Sequence, residues 1–439
     1  MFKTLPGFRD FYPEDCAVRN YLFRVWRRAA LSFNFKECDG PILESLELFK
    51  EKSGDEIVGQ LFAFTDRGGR EVALRPEMTP SLARMVAARA QAMKRPIKWF
   101  CIGENFRYER RQRGRLRSFY QFNADIFAEP GPGADAEVIA ALIHSLRMMG
   151  LSTDDFVVRI SDRDLWILYL RSLGLGEKAI LALLNLIDKR ERLSRDVVLE
   201  RLRPFFHGSA EDFLLNVETL TRTRNMDDLS AFVQAHLTGG ELSDAVKRRL
   251  SSWVELLDRL ERMGLGNWIC IDMGVVRGLA YYTGFVFEAF DRRGEHRAIA
   301  GGGRYNHLVK KLGGPDMPAV GFAMGDVVIG QILSEKGLLP CRPQKPDLFI
   351  IMGKGKPAAT ALGLLHDLRR AGFSVEYPLR PVAFGKQFKA AHQSGAGLAV
   401  ILGEDEVEKG VAKIKHLRSG KEEETPLKDL VAKLSDHCR

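Results

Sequence analysis

Residues 100–129 of this chain read FCIGENFRYERRQRGRLRSFYQFNADIFAE, and this stretch decides the fold. Apolar and polar residues alternate on both sides of a basic centre. This period of two predicts two antiparallel strands joined by a basic loop. The basic centre holds six arginines within eleven residues, with Gly114 among them. The arginines are Arg107, Arg110, Arg111, Arg113, Arg115 and Arg117.

The alternation predicts one polar face on this hairpin. A half-buried strand normally gives its polar face to water, but here the arginines would then repel one another in the loop. An anionic partner explains the cluster better, since a guanidinium binds phosphate through two hydrogen bonds at once. Composition alone leaves both a phosphate site and a solvated face open. The polar face carries Asn105, Arg107, Glu109, Phe119, Gln121, Asn123 and Asp125.

Residue order and spacing in this stretch resemble motif 2 of the class II aminoacyl-tRNA synthetases, and most closely that of the histidyl-tRNA synthetases. The family pattern runs F-R-x-E-R, a variable basic loop and G-R-x-R-x-F-x-Q. The resemblance implies that Arg107 holds the α-phosphate of ATP. It also implies that Glu109 and Phe119 hold the adenine and that Gln121 holds the amino acid. The matching residues are Phe106, Arg107, Glu109, Arg110, Gly114, Arg115, Arg117, Phe119 and Gln121.

Length and composition limit the possible classes of protein. A chain of 439 residues is long enough for two or three domains with cores of their own. A net charge of +9 and a pI near 9.2 favour a polyanionic partner without proving one. Six scattered cysteines without a CxxC pair argue against a zinc site or a disulfide framework. No apolar run is long enough to span a membrane, so we expect a cytoplasmic protein without membrane contact.

The segment before the hairpin carries two further features. Pro41 interrupts an extended segment, where it suits a sheet edge; the resemblance implies motif 1 and a homodimer interface there. LRPEMT, residues 74–79, precedes a helix predicted to start near Thr79. Thr79 could simply cap this helix. The resemblance implies instead that Glu77, Met78 and Thr79 receive the histidine substrate, with a carboxylate beside its ammonium group.

Two later segments resemble sequences that distinguish histidyl-tRNA synthetases within their class. VVRGLAYYTGFVFE, residues 275–288, implies that Arg277 binds the substrate carboxylate and the α-phosphate. It also implies that Tyr281 and Tyr282 line the histidine pocket, with Tyr282 reaching the imidazole. AGGGRYNHL implies that Tyr305 closes this pocket, although three glycines also suit a strand bulge. Taken alone, the first segment also fits buried aromatic residues with a surface arginine.

The chain departs from the family pattern at motif 3. The family reads GFAMGxER, and its arginine binds the γ-phosphate of ATP. Here GFAMG is followed by Asp326, Val327 and Val328, so this cation is lost. Arg115 or Arg113 could compensate for it. Two further departures are Ala280 in place of aspartate, and Asp125, which we assign to the histidine pocket, in place of glutamate.

The order of these patterns predicts an α/β protein with a helical insertion and a small C-terminal domain with a mostly parallel sheet. The resemblance implies that the remainder is an α+β catalytic domain with an antiparallel sheet. We predict the helical insertion from apolar residues at helical spacing, such as Trp253 and Leu260. The resemblance implies that this insertion contacts tRNA. The C-terminal part resembles the family's anticodon-binding domain. The predicted divisions are residues 1–162 and 264–337 for the catalytic domain, 163–263 for the insertion, 338–345 for a linker and 346–439 for the anticodon-binding domain.

The resemblance implies a two-step ligase. L-histidine reacts with ATP, assisted by Mg²⁺, and the histidyl group then passes to the 3′ end of tRNA(His). Arg107 and Arg277 would act on the α-phosphate, with no protein ligand predicted for a metal. The lost arginine of motif 3 suggests an alternative, a non-catalytic relative that regulates ATP phosphoribosyltransferase. A general RNA-binding protein would explain the positive charge but not the histidine segments.

Overall fold

The computed structural model describes residues 2–50, 59–109, 114–190, 193–206, 209–237, 242–276, 281–339 and 345–437. The chain forms two compact units, Met1–Pro340 and Cys341–Arg439. Their boundary falls within the segment 338–345 that we predicted as a linker. The finer division of the first unit into an insertion and two catalytic parts stays a prediction.

A large sheet forms the centre of the first unit. Its strand order is β1-β5-β6-β11-β10-β9-β7-β8, and a smaller sheet has the order β2-β4-β3. The pairs β1–β5 and β7–β8 are parallel, and the remaining pairs of the large sheet are antiparallel. This confirms the mainly antiparallel sheet that we predicted for this part of the chain. The strands are β1 Lys36–Glu37, β2 Leu43–Ser45, β3 Ala63–Thr65, β4 Glu71–Leu74, β5 Ile97–Phe106, β6 Ser118–Phe127, β7 Phe156–Asp162, β8 Ile269–Ile271, β9 Thr283–Asp291, β10 Ala300–Arg304 and β11 Ala319–Gly325.

Strands β5 and β6 form the predicted hairpin. They pair antiparallel over their full lengths, and Asn105 lies opposite Phe119. Phe122 points to the apolar side, where its ring stacks on Trp26. On the other side Asn105 Nδ2 donates a hydrogen bond to Gln121 Oε1 at 3.0 Å. The alternation of residue types therefore predicted both faces, while Arg110, Arg111 and Arg113 lie outside the described residues.

Helices cover the apolar face of the large sheet and continue into the predicted insertion. Apolar residues of the first and third helices pack with strand residues in one core. Trp253 and Leu260, predicted as insertion core, are buried. The helices are α1 Pro13–Ser32, α2 Thr79–Arg89, α3 Pro132–Arg147, α4 Arg163–Ser172, α5 Glu177–Lys189, α6 Arg195–Leu202, α7 Ala210–Thr221, α8 Met226–His236, α9 Leu242–Arg262, α10 Leu308–Lys311 and α11 Asp326–Glu335.

Helix α2 begins one residue earlier than the alternative in which Thr79 caps it. Met78 is the cap residue and Thr79 is already the first helical residue, followed by Pro80. Proline is favoured in the first turn because its missing N–H has no partner there in any case. Thr79 is therefore not the helix cap, which leaves its hydroxyl available for another role.

The second unit is a small α/β structure with a mixed sheet in the order β13-β12-β14-β15-β16. The mostly parallel arrangement that we predicted holds for β12, β13 and β14, but β15 and β16 add two antiparallel pairs. The helix between β14 and β15 has only 5 residues, too few for a parallel crossover. The elements are β12 Leu348–Met352, α12 Lys356–Arg370, β13 Val375–Glu376, α13 Phe384–Ser394, β14 Leu398–Leu402, α14 Glu404–Glu408, β15 Val411–His416, β16 Glu422–Pro426 and α15 Leu430–His437.

Among the described helices of both units, none combines the length and the apolar composition needed to cross a membrane.

Candidate active site

A cavity of about 440 Å³ lies on the polar face of the large sheet. Its walls come from strands β6, β9, β10 and β11, from the start of helix α2 and from the end of helix α5. Most residues that the sequence assigned to substrates meet here, although they are far apart in the chain. The assigned residues on its walls are Glu77, Thr79, Arg107, Glu109, Arg115, Phe119, Gln121, Asp125, Tyr281, Tyr282 and Tyr305.

Glycine in strand β11 makes room for a carboxylate in the floor of this cavity. Gly321 pairs with Asp125 of β6 in the sheet register. A Cβ atom at position 321 would collide with the Asp125 carboxylate and with the Ala124 carbonyl oxygen. The absence of a side chain at Gly321 therefore allows Asp125 to lie at the bottom of the cavity.

A hydrogen bond joins this carboxylate to an aromatic wall. The Tyr305 hydroxyl donates to Asp125 Oδ1 at 2.5 Å, and both residues are buried. Burial raises the pKa of Tyr305 well above its usual value, and the negative charge of Asp125 raises it further. The phenol therefore stays protonated and acts as a donor. The rings of Tyr281 and Tyr282 lie 4.5 Å apart, and Tyr281 meets Tyr305 edge-on at 6.1 Å.

A buried ion pair holds the end of strand β10, directly before this tyrosine. Arg304 Nη2 lies 2.5 Å from Asp135 Oδ2, and Arg304 also donates to the carbonyl oxygens of Glu129 and Gly131. Both charged groups are buried, but each has a charged or hydrogen-bonded partner, which such burial requires. The pair fixes the end of β10 against α3 and so positions Tyr305.

The other end of the cavity is rich in charge. Arg107 Nε donates to the Pro76 carbonyl oxygen at 2.9 Å, and its guanidinium lies 5.3 Å from the centre of the Phe119 ring. Arg115 Nε and Glu109 Oε2 form an ion pair at 2.9 Å. These contacts hold cations, a carboxylate and an aromatic ring side by side. Such a set can bind the phosphates and the base of a nucleotide.

A buried arginine supports the turn that leads into helix α2. Arg75 donates to the carbonyl oxygens of Glu104 and Gly40 and pairs with Asp39 Oδ1 at 2.9 Å. It thereby ties the residues before α2 to strand β5. The Glu77 carboxylate and the start of α2 are held facing the cavity as a result. We did not predict this role, because Arg75 has no visible partner in the sequence.

Comparisons with known proteins place the chain in a family. A sequence model described as "Histidyl-tRNA synthetase" matches residues 7–326, and one described as "Anticodon binding domain" matches residues 347–437. This chain belongs to the histidyl-tRNA synthetase family. The second match covers most of the compact C-terminal unit, as the resemblance implied.

Individual histidyl-tRNA synthetases agree over nearly the whole chain. "Histidine--tRNA ligase" of Opitutus terrae is 52% identical over 437 residues, which cover 99% of this chain and 98% of that protein. The chloroplastic and mitochondrial histidine–tRNA ligase of Arabidopsis thaliana is 38% identical, with 97% and 85% covered. The crystal structure of histidyl-tRNA synthetase from Nostoc sp. PCC 7120 is similar with a TM-score of 0.80, at 25% identity and with 100% and 99% covered. These full-length matches to ligases do not favour the regulatory alternative.

One described residue that the histidyl-tRNA synthetase pattern suggested, Met78, does not line the cavity. The Met78 side chain is buried in a cluster with Leu82, and its sulfur lies 3.3 Å from Arg75 Nη1. It supports the wall from behind. Arg277 lies outside the described residues, so its assignment to the carboxylate and α-phosphate stays a prediction.

At motif 3 the departure from other synthetases has a structural counterpart. Asp326 Oδ2 pairs with Arg9 Nη2 at 2.7 Å, and its Oδ1 accepts from the Tyr120 N–H. Burial raises the pKa of Asp326, which Arg9 and the Tyr120 N–H oppose. Asp326 therefore ties the N-terminal segment to the sheet. Val328 lines the cavity, so an apolar side chain stands where the family has its arginine.

Four charged residues of the cavity wall were missed by sequence reasoning. Glu288 ends the segment 275–288 that resembles the histidyl-tRNA synthetases, and it lies in strand β9. The alternation of residues along this strand could have placed its side chain on the polar face of the sheet. Asp188 and Lys189 end a helix of the predicted insertion, and no pattern connected them with the sheet. Arg297 lies in the loop between β9 and β10, where no periodicity marks the direction of a side chain.

Proposed function

We propose that this chain is a histidine–tRNA ligase that converts L-histidine and ATP to histidyl-adenylate and transfers the histidyl group to the 3′ end of tRNA(His). The observation that carries this proposal is the buried hydrogen bond between Tyr305 and Asp125. It places a fixed carboxylate, a suitable acceptor for an imidazole N–H, in the same cavity as Arg107 and Phe119.

Histidine would bind at the tyrosine-lined end of the cavity. Asp125 accepts a hydrogen bond from one imidazole nitrogen, and Tyr282 contacts the other side of the ring. Glu77 and Thr79 face the ammonium group, and Gln121 orients the amino acid. A pocket of buried polar groups rejects amino acids that leave those groups without hydrogen bonds. This selectivity follows from Asp125 above all.

Adenylation would need positioning and positive charge rather than a protein base. The histidine carboxylate is ionised at neutral pH and attacks the α-phosphorus of ATP. The bond to the bridging oxygen of the β-phosphate breaks, and pyrophosphate carries the electrons away. Arg107, held by Pro76, and Arg277 would stabilise the charge on the α-phosphate. Glu109 and Phe119 would hold the adenine, and Mg²⁺ would arrive with ATP as part of the substrate.

The second unit would bind the anticodon of the tRNA. Its match to an anticodon-binding domain supports this role, and the positive net charge of the chain suits a nucleic-acid partner. The first unit would then receive the terminal ribose, whose hydroxyl attacks the histidyl-adenylate. AMP leaves with the electrons of the cleaved bond.

We infer a homodimer through the segment that contains Pro41. Ile42 and Leu43 are 45% and 42% exposed, and Phe64 of the neighbouring small sheet is 51% exposed. Burial of these side chains against a second copy would remove apolar surface from water. We also propose a cytoplasmic location, consistent with Cys16, Cys38, Cys101 and Cys270, which are free in the described chain.

Histidine-dependent exchange of labelled pyrophosphate into ATP, without tRNA, tests the adenylation step. We expect exchange with histidine and none with the other amino acids. Charging of tRNA(His) transcripts then tests the transfer step. A folded protein that binds histidine but fails in both assays would contradict the ligase and support the regulatory alternative.

A further inference from the structure

The phosphate end of the cavity lacks the cation of motif 3. Val328, at that position, is buried and has no charge to offer a triphosphate. When the α–β phosphate bond breaks, negative charge develops on the departing pyrophosphate. A ligase without a cation there would leave this charge unbalanced in a partly enclosed site.

From the sequence we proposed that Arg115 or Arg113 replaces the lost arginine of motif 3, but Arg115 already has a partner. Arg115 forms an ion pair with Glu109, a residue that the proposed function assigns to adenine. Arg107 is held by the Pro76 carbonyl oxygen and is assigned to the α-phosphate. Arg113 lies outside the described residues. Among the described residues, the cation near Val328 must therefore come from a different side chain.

Arg297 lies at this place. If Gly114 carried a Cβ atom, Val328 Cγ2 would lie 3.4 Å from it and Arg297 Cδ 3.6 Å from it. Both side chains therefore approach the same side of Gly114, and both line the cavity. Within the described part of the chain, Arg297 has neither an ion-paired carboxylate nor a hydrogen-bond acceptor. A half-buried guanidinium in this situation suits an anionic ligand.

The loop that carries Arg297 is held in place. The Asp291 carboxylate accepts hydrogen bonds from the N–H groups of Glu295 and His296 at 3.1 Å each. On the other side the Ile299 N–H donates to the Ala289 carbonyl oxygen at 2.7 Å. The backbone on both sides of Arg297 is thus fixed to the end of the sheet. A fixed loop reduces the entropy lost when an arginine binds a ligand.

We propose that Arg297 binds the β- and γ-phosphates of ATP and stabilises the departing pyrophosphate in place of the motif 3 arginine. The proposal rests on the proposed function and names a residue for it. It also explains the valine at position 328. A second guanidinium beside Arg297 would be repelled by the first, whereas valine leaves space for it.

Direct binding of ATP and AMP tests this assignment, since AMP lacks the two phosphates in question. Calorimetry with Mg²⁺ would compare the wild-type chain with Arg297→Gln and Arg297→Lys. We expect the glutamine variant to bind ATP about tenfold to a hundredfold more weakly, as for the loss of hydrogen bonds to a charged group, with AMP affinity unchanged. The affinity of the lysine variant for ATP should lie between those of the wild-type chain and the glutamine variant. The Michaelis constant of the lysine variant for pyrophosphate in the exchange assay should rise less than that of the glutamine variant.

The matched control is Arg293→Gln. Arg293 lies in the same loop as Arg297, but it is exposed and does not line the cavity. It should behave as wild type. Unchanged ATP affinity in Arg297→Gln, or equal losses for ATP and AMP, would overturn the assignment. A wild-type chain that binds ATP without histidine-dependent exchange would instead count against the ligase, while the ATP and AMP affinities would still test Arg297.

Discussion

Tyr305 donates a 2.5 Å hydrogen bond to Asp125, a residue 180 positions earlier in the chain. Strand β11 lies between β6, which carries Asp125, and β10, which ends one residue before Tyr305. The glycine of β11 at position 321 leaves the gap that the contact crosses. The contact gives the proposed histidine pocket a carboxylate whose position is fixed by a neutral donor.

Replacement of Asp125 by alanine should affect histidine far more than ATP. The imidazole would lose its charged acceptor, which corresponds to a loss of about tenfold to a hundredfold in affinity. Tyr282→Phe should act in the same direction. Exchange kinetics give Michaelis constants for both substrates, and Asp154→Asn, at an exposed position, is the control. Equal losses for histidine and ATP would refute this assignment of the pocket.

The raised pKa of Tyr305 predicts a loss of stability in alkali. The unfolded chain ionises this phenol near pH 10, while the folded chain keeps it neutral. Because the folded-state pKa is raised, the stabilising contribution is complete below about pH 10 and is lost as the pH rises above it. Denaturant unfolding from pH 8 to pH 11 should show that wild type loses its advantage over Tyr305→Phe. A difference in unfolding free energy between wild type and Tyr305→Phe that stays constant from pH 8 to pH 11 would contradict the raised pKa of Tyr305.

At neutral pH, Tyr305→Phe should change the Michaelis constant for histidine more than that for ATP. The variant removes the donor that positions Asp125 but leaves the aromatic wall in place. We expect the Michaelis constant for histidine to rise by roughly tenfold, with little change in that for ATP or in kcat. A drop in kcat alone would point to a role in the chemistry rather than in positioning.

The sequence could predict the hairpin because its two faces differ in every second residue. This pattern placed Asn105, Gln121 and Asp125 on one face before any partner strand was known. The bond from Tyr305 to Asp125 could not be predicted in this way, since it depends on the order of β6, β11 and β10 in the sheet. Arg297 was missed for a related reason. It lies in a loop, where contacts along the chain and not a repeating pattern set the direction of the side chain.

The resemblance selected more residues that line the cavity than periodicity could. It proposed Glu77 and Thr79, which share the cavity with Asp125 although local pattern showed only a helix start. It also proposed Met78, whose side chain packs behind the wall, since the match recorded a position in the chain and not a direction. In the second unit the apolar runs LFIIM of β12 and LAVIL of β14 are typical of buried parallel strands. Of the two antiparallel strands, β15 alternates charged and apolar residues and β16 reads EEETP, and neither was assigned.

Gly321→Ala should damage the proposed histidine pocket without replacing a substrate-binding side chain. The new methyl group would collide with the Asp125 carboxylate and with the Ala124 carbonyl oxygen, which belongs to the backbone and cannot move aside. Overpacking of this kind costs about 1–3 kcal/mol of stability. We expect a lower Tm and weaker histidine binding, with ATP binding largely kept. Gly330→Ala is the control, because nothing lies within 4 Å of its new methyl group.

Arg107→Ala should slow adenylation much more than it weakens histidine binding. Arg107 is fixed by the Pro76 carbonyl oxygen beside the Phe119 ring, so its charge is already in place when the α-phosphate reacts. Removal of one such group typically costs about 3 kcal/mol, or roughly a hundredfold in rate. Single-turnover formation of histidyl-adenylate would measure the rate, and calorimetry would measure histidine affinity. A variant with normal kcat and a raised Michaelis constant for ATP would show that Arg107 binds ATP in the ground state without favouring the transition state.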